Sequence, residues 1–596
     1  IIPYTKMPEN TVVGKPKYYS STYNYGSQSH GILIKTREGR PVKVDGNPDH
    51  PVNKGKINAI VQASVLNLYD PDRIQNPMKK SRGGEFLKTT WQQADQEIIN
   101  GLNANPSQKI AIISGKILSP TAKKVLDDFS ASYPNTKIYS FELFNDNLRN
   151  SAWKKCYGTD FYPLVKWNEA KIIVSLEGDF LGTDGDKVEN SRLYIEGRNV
   201  ENAKNFNRLY VVEGNMSTTG MNADYRLKLR PDAQFEFVMS LLKETGRRLG
   251  RNIQVNLTGY SIETFAKNYS LNEKKLKYLV DDLVLNAGKG IVFAGRNLPE
   301  EVHVVTNLLN EILGNTEMYR TDSSTFELQP AAGKDEWENL VADMNAGKIG
   351  TVIHYDSNPV FILPEDIGYS DALKKVSNVI SMTESANESS AAGHYTLPIN
   401  HAFESWGDAK NRTGFYSLQQ PVIAPIYNTR QKEAVLLTWL DGGKNKYDET
   451  IYHKYLMNNW EKNVYHSLNS KLNFREFWLG ALHDGVVITK DTPKKSGNFN
   501  YSALSDLVSF SSKLAGFAIL LNESPTLSDG RFANNGWLQE LPHPVTKMTW
   551  DNYAAVSKNT AKELGVDNND KISVKIGERK LEIPVLIQPG CADNTI

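Results

Sequence analysis

Many of the polar residues able to do chemistry in this chain follow directly on short apolar runs. Glu177-Gly178-Asp179 follows KIIVSL, Glu213-Gly214-Asn215 follows RLYVV, and Asp356-Ser357-Asn358-Pro359 follows TVIHY. If those runs are parallel strands, such residues stand beyond the carboxyl ends of a sheet, where doubly wound folds place their ligand-binding loops. Gly178, Gly182 and Gly185 make a loose glycine-rich loop whose plainer reading is a turn. Other chemistries find little footing. There is no GxxxxGK[ST] phosphate loop and no G-x-S-x-G elbow. His394, His401 and Glu404 are spaced unlike any standard zinc site, and His30 and His50 read as turn or loop histidines. The only thiols are Cys156 and Cys591. A cubane iron–sulfur cluster needs four, and a disulfide between these two stays open, because sequence does not give their separation.

The elements that would position these groups alternate between strand and helix. KIAIISG (109–115) reads as a buried strand. After it come Ser119 as a helix cap, Pro120 at the first helical position and apolar residues at helical spacing. The runs at 171–179, 208–215, 290–297, 351–359 and 378–385 extend the pattern, so an α/β fold with parallel strands is expected. Residues 554–566 read as a short helix ending at Gly565, and 571–590 as a hairpin turning at Ile576-Gly577-Glu578. Residues 444–502 read as loops and short helices. Sixty-nine basic and 68 acidic residues give a net charge of +1, which offers no field to steer nucleic acid or an anionic membrane. No run reaches the ~18–20 apolar residues of a membrane helix; the best, LAGFAILL (514–521), suits a buried strand or core helix. The first residues begin mid-pattern and PGCADNTI stops without a closing element, so both ends read as cut.

Several segments resemble, in order, the molybdopterin oxidoreductase family. They are VKVDGNPDHP (42–51), LYDPDRIQNP (68–77), RGGEFLKTTWQQADQEI (82–98), the stretch 382–414 and HPVTKMTWDNYAAVSKNTAKELGVDNNDKISV (543–574). The resemblance implies two doubly wound α/β domains, an N-terminal domain and a C-terminal β-barrel domain. Residues 1–88, with parts of 400–500, would form the N-terminal domain. Residues 89–142 with 285–400 would form the first α/β domain, 143–284 the second, and 500–596 the barrel. Within the family, the opening IIPYTKMPENTVVGKPKYYSSTY and its direct passage into GILIKTREGRPVKVDGNPDHP resemble the large iron–sulfur subunit of alternative complex III, a bacterial quinol:electron-acceptor oxidoreductase.

The departures from the family point the same way. Its N-terminal cluster cysteines would fall around Tyr18 to His30 and near Asn58, where none is found. The family's D-P-R-like turn becomes Glu213-Gly214-Asn215. Its RPGTD becomes Arg230-Pro231-Asp232-Ala233-Gln234, which adds the Asp232 carboxylate near a phosphate position and puts Gln234 where an aspartate would accept from guanine. Glu177, Gly178, Asp179, Glu213, Asn215, Asp232, Gln234 and Asn358 are therefore expected to line a vestigial cofactor cleft. Asp146 and Cys156 lie near the family's molybdenum-ligand position; their plainer roles are a helix cap and a buried small apolar group. The expectation is a non-catalytic scaffold with no molybdopterin, whose complex carries iron–sulfur clusters in a ferredoxin-like part beyond residue 596. Its implied partners are a membrane quinol-oxidising subunit, multihaem and monohaem cytochrome c subunits and a terminal oxidase, on the periplasmic face of the bacterial cytoplasmic membrane. The alternative is a molybdenum or tungsten bis-pterin reductase that lacks only the N-terminal cluster.

Overall fold

Short β-branched runs flanked by turn residues form strands here because they can be buried on both faces, the condition of a parallel sheet covered by helices. A computed structural model of the chain describes residues 12, 14–201, 206–327, 329–490, 497–511 and 515–596. They divide into two units, Ile1–Leu143 with Gln329–Asp491 and Phe144–Leu328 with Thr492–Ile596.

The first unit is built on a seven-stranded sheet. Its strands run in the order Phe86–Lys88, Met78–Lys80, Tyr395–Pro398, Asn378–Thr383, Ile349–Tyr355, Lys109–Ser114, Thr136–Ser140. The last five are parallel, and an antiparallel pair closes one edge. Chain order reverses between Lys109–Ser114 and Ile349–Tyr355, which makes a switch point there. Ser119 caps the following helix, Pro120–Ser132, by accepting from the Ala122 amide. A three-stranded antiparallel sheet at Lys17–Tyr25, Gln28–Arg37 and Arg40–Gly46 belongs to the same unit. Its Ser20 and Thr22 hydroxyls donate to the carbonyls of His483 and Leu418. His30 and His50 are fully buried; His30 lies within a strand and His50 bonds the Ser417 hydroxyl at 2.9 Å. His30 is thus a strand residue in place of the turn or loop histidine expected, whereas His50 does stand in the loop after Arg40–Gly46.

In the second unit a four-stranded parallel sheet runs Tyr225–Lys228, Arg208–Glu213, Ile172–Leu176, Gly290–Ala294. Every residue of the last two strands is buried. Gly290–Ala294 was expected in the first α/β domain; it pairs instead with Ile172–Leu176, so the boundary at 285 is corrected. A fully buried run carries no periodicity to choose its neighbour, which is why the sequence misplaced it. Trp167 stacks on Phe180 in this core, with centroids 4.1 Å apart.

Three further expectations change. Among the described residues the C-terminal segment forms one open sheet, in the order Ala554–Val556, Arg579–Ile587, Lys571–Ile576, and no closed barrel. Three strands are too few to close, since small barrels need about five. The first residues of the expected 554–566 helix are that edge strand; the helix is Lys558–Leu564, ending at Gly565 in the left-handed region (φ 67°). Residues 444–502 keep their reading as loops and short helices among the described residues, where Ile451–Trp460 and Phe474–Asp484 pack around Leu456, Trp460 and Trp478. Of LAGFAILL, Leu514 lies outside the described residues, and the remainder is irregular chain with Leu521 70% exposed.

Candidate functional site

Each sheet ends its central strand on a strained acidic residue. Glu177 follows Ile172–Leu176 with φ 51°, and Asp356 follows Ile349–Tyr355 with φ 53°. A non-glycine residue in the left-handed region costs of order 1 kcal/mol or more and marks a backbone fixed by its surroundings.

In the second unit the structure brings Glu177, Gly178, Asp179, Glu213, Asn215, Asp232 and Gln234 to one end of the sheet. Glu177 Oε1 accepts from the Gly214 amide at 2.8 Å and from Gln234 Nε2 at 3.2 Å. Burial first, and then the charge of Glu213, push its carboxyl from 4.5 up to about 8. Glu213 is 2% exposed and accepts from Arg226 Nε and the Ser217 hydroxyl, each at 2.6 Å. Asp179 accepts from the Thr219 amide and hydroxyl at 2.8 Å, yet burial still raises it to about 6. Asp232 is held by Arg230 through Nε at 2.9 Å and Nη2 at 3.1 Å. Its expected repulsion of a phosphate is therefore largely cancelled by a local counter-charge. The glycines serve packing. A side chain at Gly178 would meet the Phe293 ring and Ser175, and one at Gly295 would meet the Glu177 carbonyl.

A second polar layer at the switch point between Ile172–Leu176 and Gly290–Ala294 was missed in the sequence. Arg149 Nη2 donates to both oxygens of Asp184 at 2.8 and 2.6 Å and to the Ala294 carbonyl at 3.1 Å. Burial opposes the charge on Asp184, but Arg149 outweighs it and holds the carboxyl below its ordinary value. The Arg296 amide donates to Asp184 at 3.0 Å, and its guanidinium pairs with Glu523. The signals were present: Arg296 is the second residue after a strand, and Arg149 lies three residues after Asp146.

The proposed metal-ligand positions behave otherwise. Asp146 occupies the N-cap of Asn147–Tyr157 but makes no side-chain cap bond; it accepts from Arg149 Nη1 at 3.1 Å. Cys156 is fully buried, and burial pushes its thiol up to about 12. Ten residues along a helix put the two about 15 Å apart, so they cannot share an ion. Cys591 is also buried, and both thiols are free. Among the described residues no group of three or more His, Cys, Asp or Glu is arranged to hold a metal ion.

In the first unit Asp356 pairs with Lys432 at 2.6 Å. Glu384 is pushed up to about 8 by burial and then by Asp356. Asn358 is committed to the chain: its carbonyl accepts from the Ser389 amide and hydroxyl, and its amide donates to Glu388. His401 accepts from the Phe403 amide, and Glu404 forms a two-point pair with Arg73.

No protein-family profile matches the sequence. Over 635 aligned residues, 99% of this chain and 87% of the relative, it is 23% identical to the menaquinone reductase molybdopterin-binding-like subunit of Nitratidesulfovibrio vulgaris. It is 25% identical to the probable oxidoreductase YyaE of Bacillus subtilis over 256 residues, 41% of this chain and 37% of that one. Acetylene hydratase from Pelobacter acetylenicus superposes with a TM-score of 0.65 at 13% identity, over 97% of this chain and 92% of that one. The fold is that of the molybdopterin enzymes.

That fold implies a pterin dinucleotide, and the arginines at the strand ends of the second unit offer its pyrophosphate no unpaired charge. The arginines nearest the switch point, Arg149 and Arg296, are already held by Asp184 and Glu523. The buried atoms left without a protein partner at these strand ends are two acceptors, Asn215 Oδ1 and Gln234 Oε1, and two donors, Arg226 Nη2 and Arg149 Nε, whose guanidinium charges are already paired with Glu213 and Asp184.

Proposed function

We infer that this chain is a molybdopterin-enzyme-like subunit of a quinone-coupled oxidoreductase complex, serving as a scaffold without a catalytic site of its own. Similarity to a menaquinone reductase subunit along 99% of the chain supports the first part. The observation that carries the second is the pairing at the strand ends, where Arg149 and Arg296 are neutralised by carboxylates of the same chain. A redox cofactor needs free donors and a metal ligand; here the charged groups near the sheet end are spent on one another.

In this reading the chain holds no molybdopterin. The electrons move through iron–sulfur clusters carried outside residues 1–596, between a membrane quinol-oxidising subunit and cytochrome c or oxidase partners. No described helix is long and apolar enough to cross a membrane; attachment through partner subunits on the periplasmic face is part of the proposal. Elemental analysis of the complex from its native source tests this, with fluorescence of oxidised pterin released on denaturation. Iron without molybdenum, tungsten or pterin is the expected result. Near one molybdenum or tungsten per chain, with pterin, would overturn the scaffold reading in favour of a reductase lacking only its N-terminal cluster.

A further inference from the structure

The apolar run expected to be a core element is instead an irregular strap over the carboxyl end of the second unit's sheet. Its attachments reach the chain beyond each of the four strands. Arg230 Nη1 donates to the Gly516 carbonyl at 3.0 Å, and Ala518 bridges in parallel to Thr595. Leu520 lies against Gly214, after the Arg208–Glu213 strand. Asn297, after Gly290–Ala294, donates to the Leu521 carbonyl at 3.1 Å. Lys187, at the start of the helix that follows the Ile172–Leu176 strand and its exit loop, donates to the Pro525 carbonyl at 2.8 Å. At the centre Glu523 pairs with Arg296. The Ser528 hydroxyl steadies that carboxylate at 2.6 Å, and Ser524 and Ser528 exchange backbone bonds that close the loop behind it.

We propose that residues 516–528 are a built-in occupant of this crevice, with the Glu523 carboxylate meeting Arg296 where an anionic ligand group would otherwise do so. The inference rests on the reading that the chain holds no pterin, and it supplies a physical reason. A diphosphate entering the crevice must displace an anion tethered to the chain, whose effective concentration is far above that of any free competitor.

The test uses the purified full chain and inorganic pyrophosphate, with binding read by calorimetry. Wild type is expected to show no saturable binding at millimolar pyrophosphate. Glu523→Gln, which keeps the shape and removes the charge, is expected to bind at least roughly tenfold more tightly. Adding Arg296→Gln to that variant is expected to abolish the gain. Equal binding by wild type and Glu523→Gln overturns the proposal, and so does a gain that survives loss of Arg296. Should Glu523→Gln fail to fold, Lys187→Met with Asn297→Ala cuts two tethers and leaves the ion pair in place. Faster hydrogen exchange across 516–528 with tighter pyrophosphate binding is then expected, and faster exchange with unchanged binding refutes the idea. Pterin in the wild-type protein would sink the functional reading itself; no gain in a pterin-free variant sinks only the strap.

Discussion

Replacing Glu177 by Gln separates the two things this residue does, accepting hydrogen bonds and resisting ionisation. Unfolded, its carboxyl titrates near 4.5; in the folded unit it holds its proton to about 8, because burial and then Glu213 oppose its charge. Below pH 4.5 both states are neutral and the residue costs nothing. As pH rises from there the unfolded chain loses the proton freely and the folded one does not, so stability falls, and the full penalty stands above pH 8. At ~1.4 kcal/mol per pH unit the interval corresponds to about 5 kcal/mol. Glu177 is only partly closed off from solvent, and screening brings the working figure to about 2–3 kcal/mol. A glutamine keeps an oxygen to accept from the Gly214 amide and Gln234 Nε2 and has nothing to ionise. The variant is therefore expected to match wild type near pH 4.5 and to exceed it by about 2–3 kcal/mol near pH 9. Hydrogen-exchange mass spectrometry in graded urea, followed on a peptide spanning 172–178, isolates the relevant unit. Identical pH slopes for the two proteins would refute the assignment of a buried, proton-retaining carboxyl.

Arg149→Met leaves Asp184 buried without its partner and is expected to cost roughly 3–5 kcal/mol; adding Asp184→Asn is expected to restore most of that, as read by urea unfolding in a double-mutant cycle. Gly295→Ala drives a methyl into the Glu177 carbonyl, with an expected cost of about 1–3 kcal/mol from overpacking, and unchanged urea unfolding would mean the two exit loops are not in contact. Cys156, fully buried with its thiol pushed up to about 12, is expected to resist iodoacetamide in native protein and to label fully in urea; rapid native labelling would show an open, reactive position.

Much of the architecture was legible because the six apolar runs after residue 108 all became parallel strands, with boundaries moved by only a few residues. What the runs could not say was their pairing. Gly290–Ala294 reads the same whichever sheet receives it, since every residue is buried. The LAGFAILL run misled for a related reason: apolar composition signals burial of some atoms but not regular hydrogen bonding, and this segment takes its partners from loop residues such as Asn297. The site was half legible. Glu177, Asp179, Glu213 and Gln234 do converge, because residues at the exits of neighbouring parallel strands must. Arg149, Asp184 and Glu523 were harder to bring together, since Arg149 and Asp184 stand 35 residues apart and Glu523 meets Arg296 across 227 residues.

The charges at the sheet end then decide what the shared fold can do. Parallel strands around a switch point create a crevice whatever the side chains are, so the fold by itself says nothing about occupancy. Binding an anion there needs cations and donors left unsatisfied until the ligand arrives. In this chain Arg226, Arg230, Arg149 and Arg296 each have an acidic partner in place, Glu213, Asp232, Asp184 and Glu523. Four arginines matched by four carboxylates lock the exit loops to each other and to the 516–528 segment. Opening the crevice would break buried pairs, each of which is expensive to leave half-made. An arrangement of this kind favours a rigid end to the sheet over a receptive one, which is what the scaffold role proposed above requires.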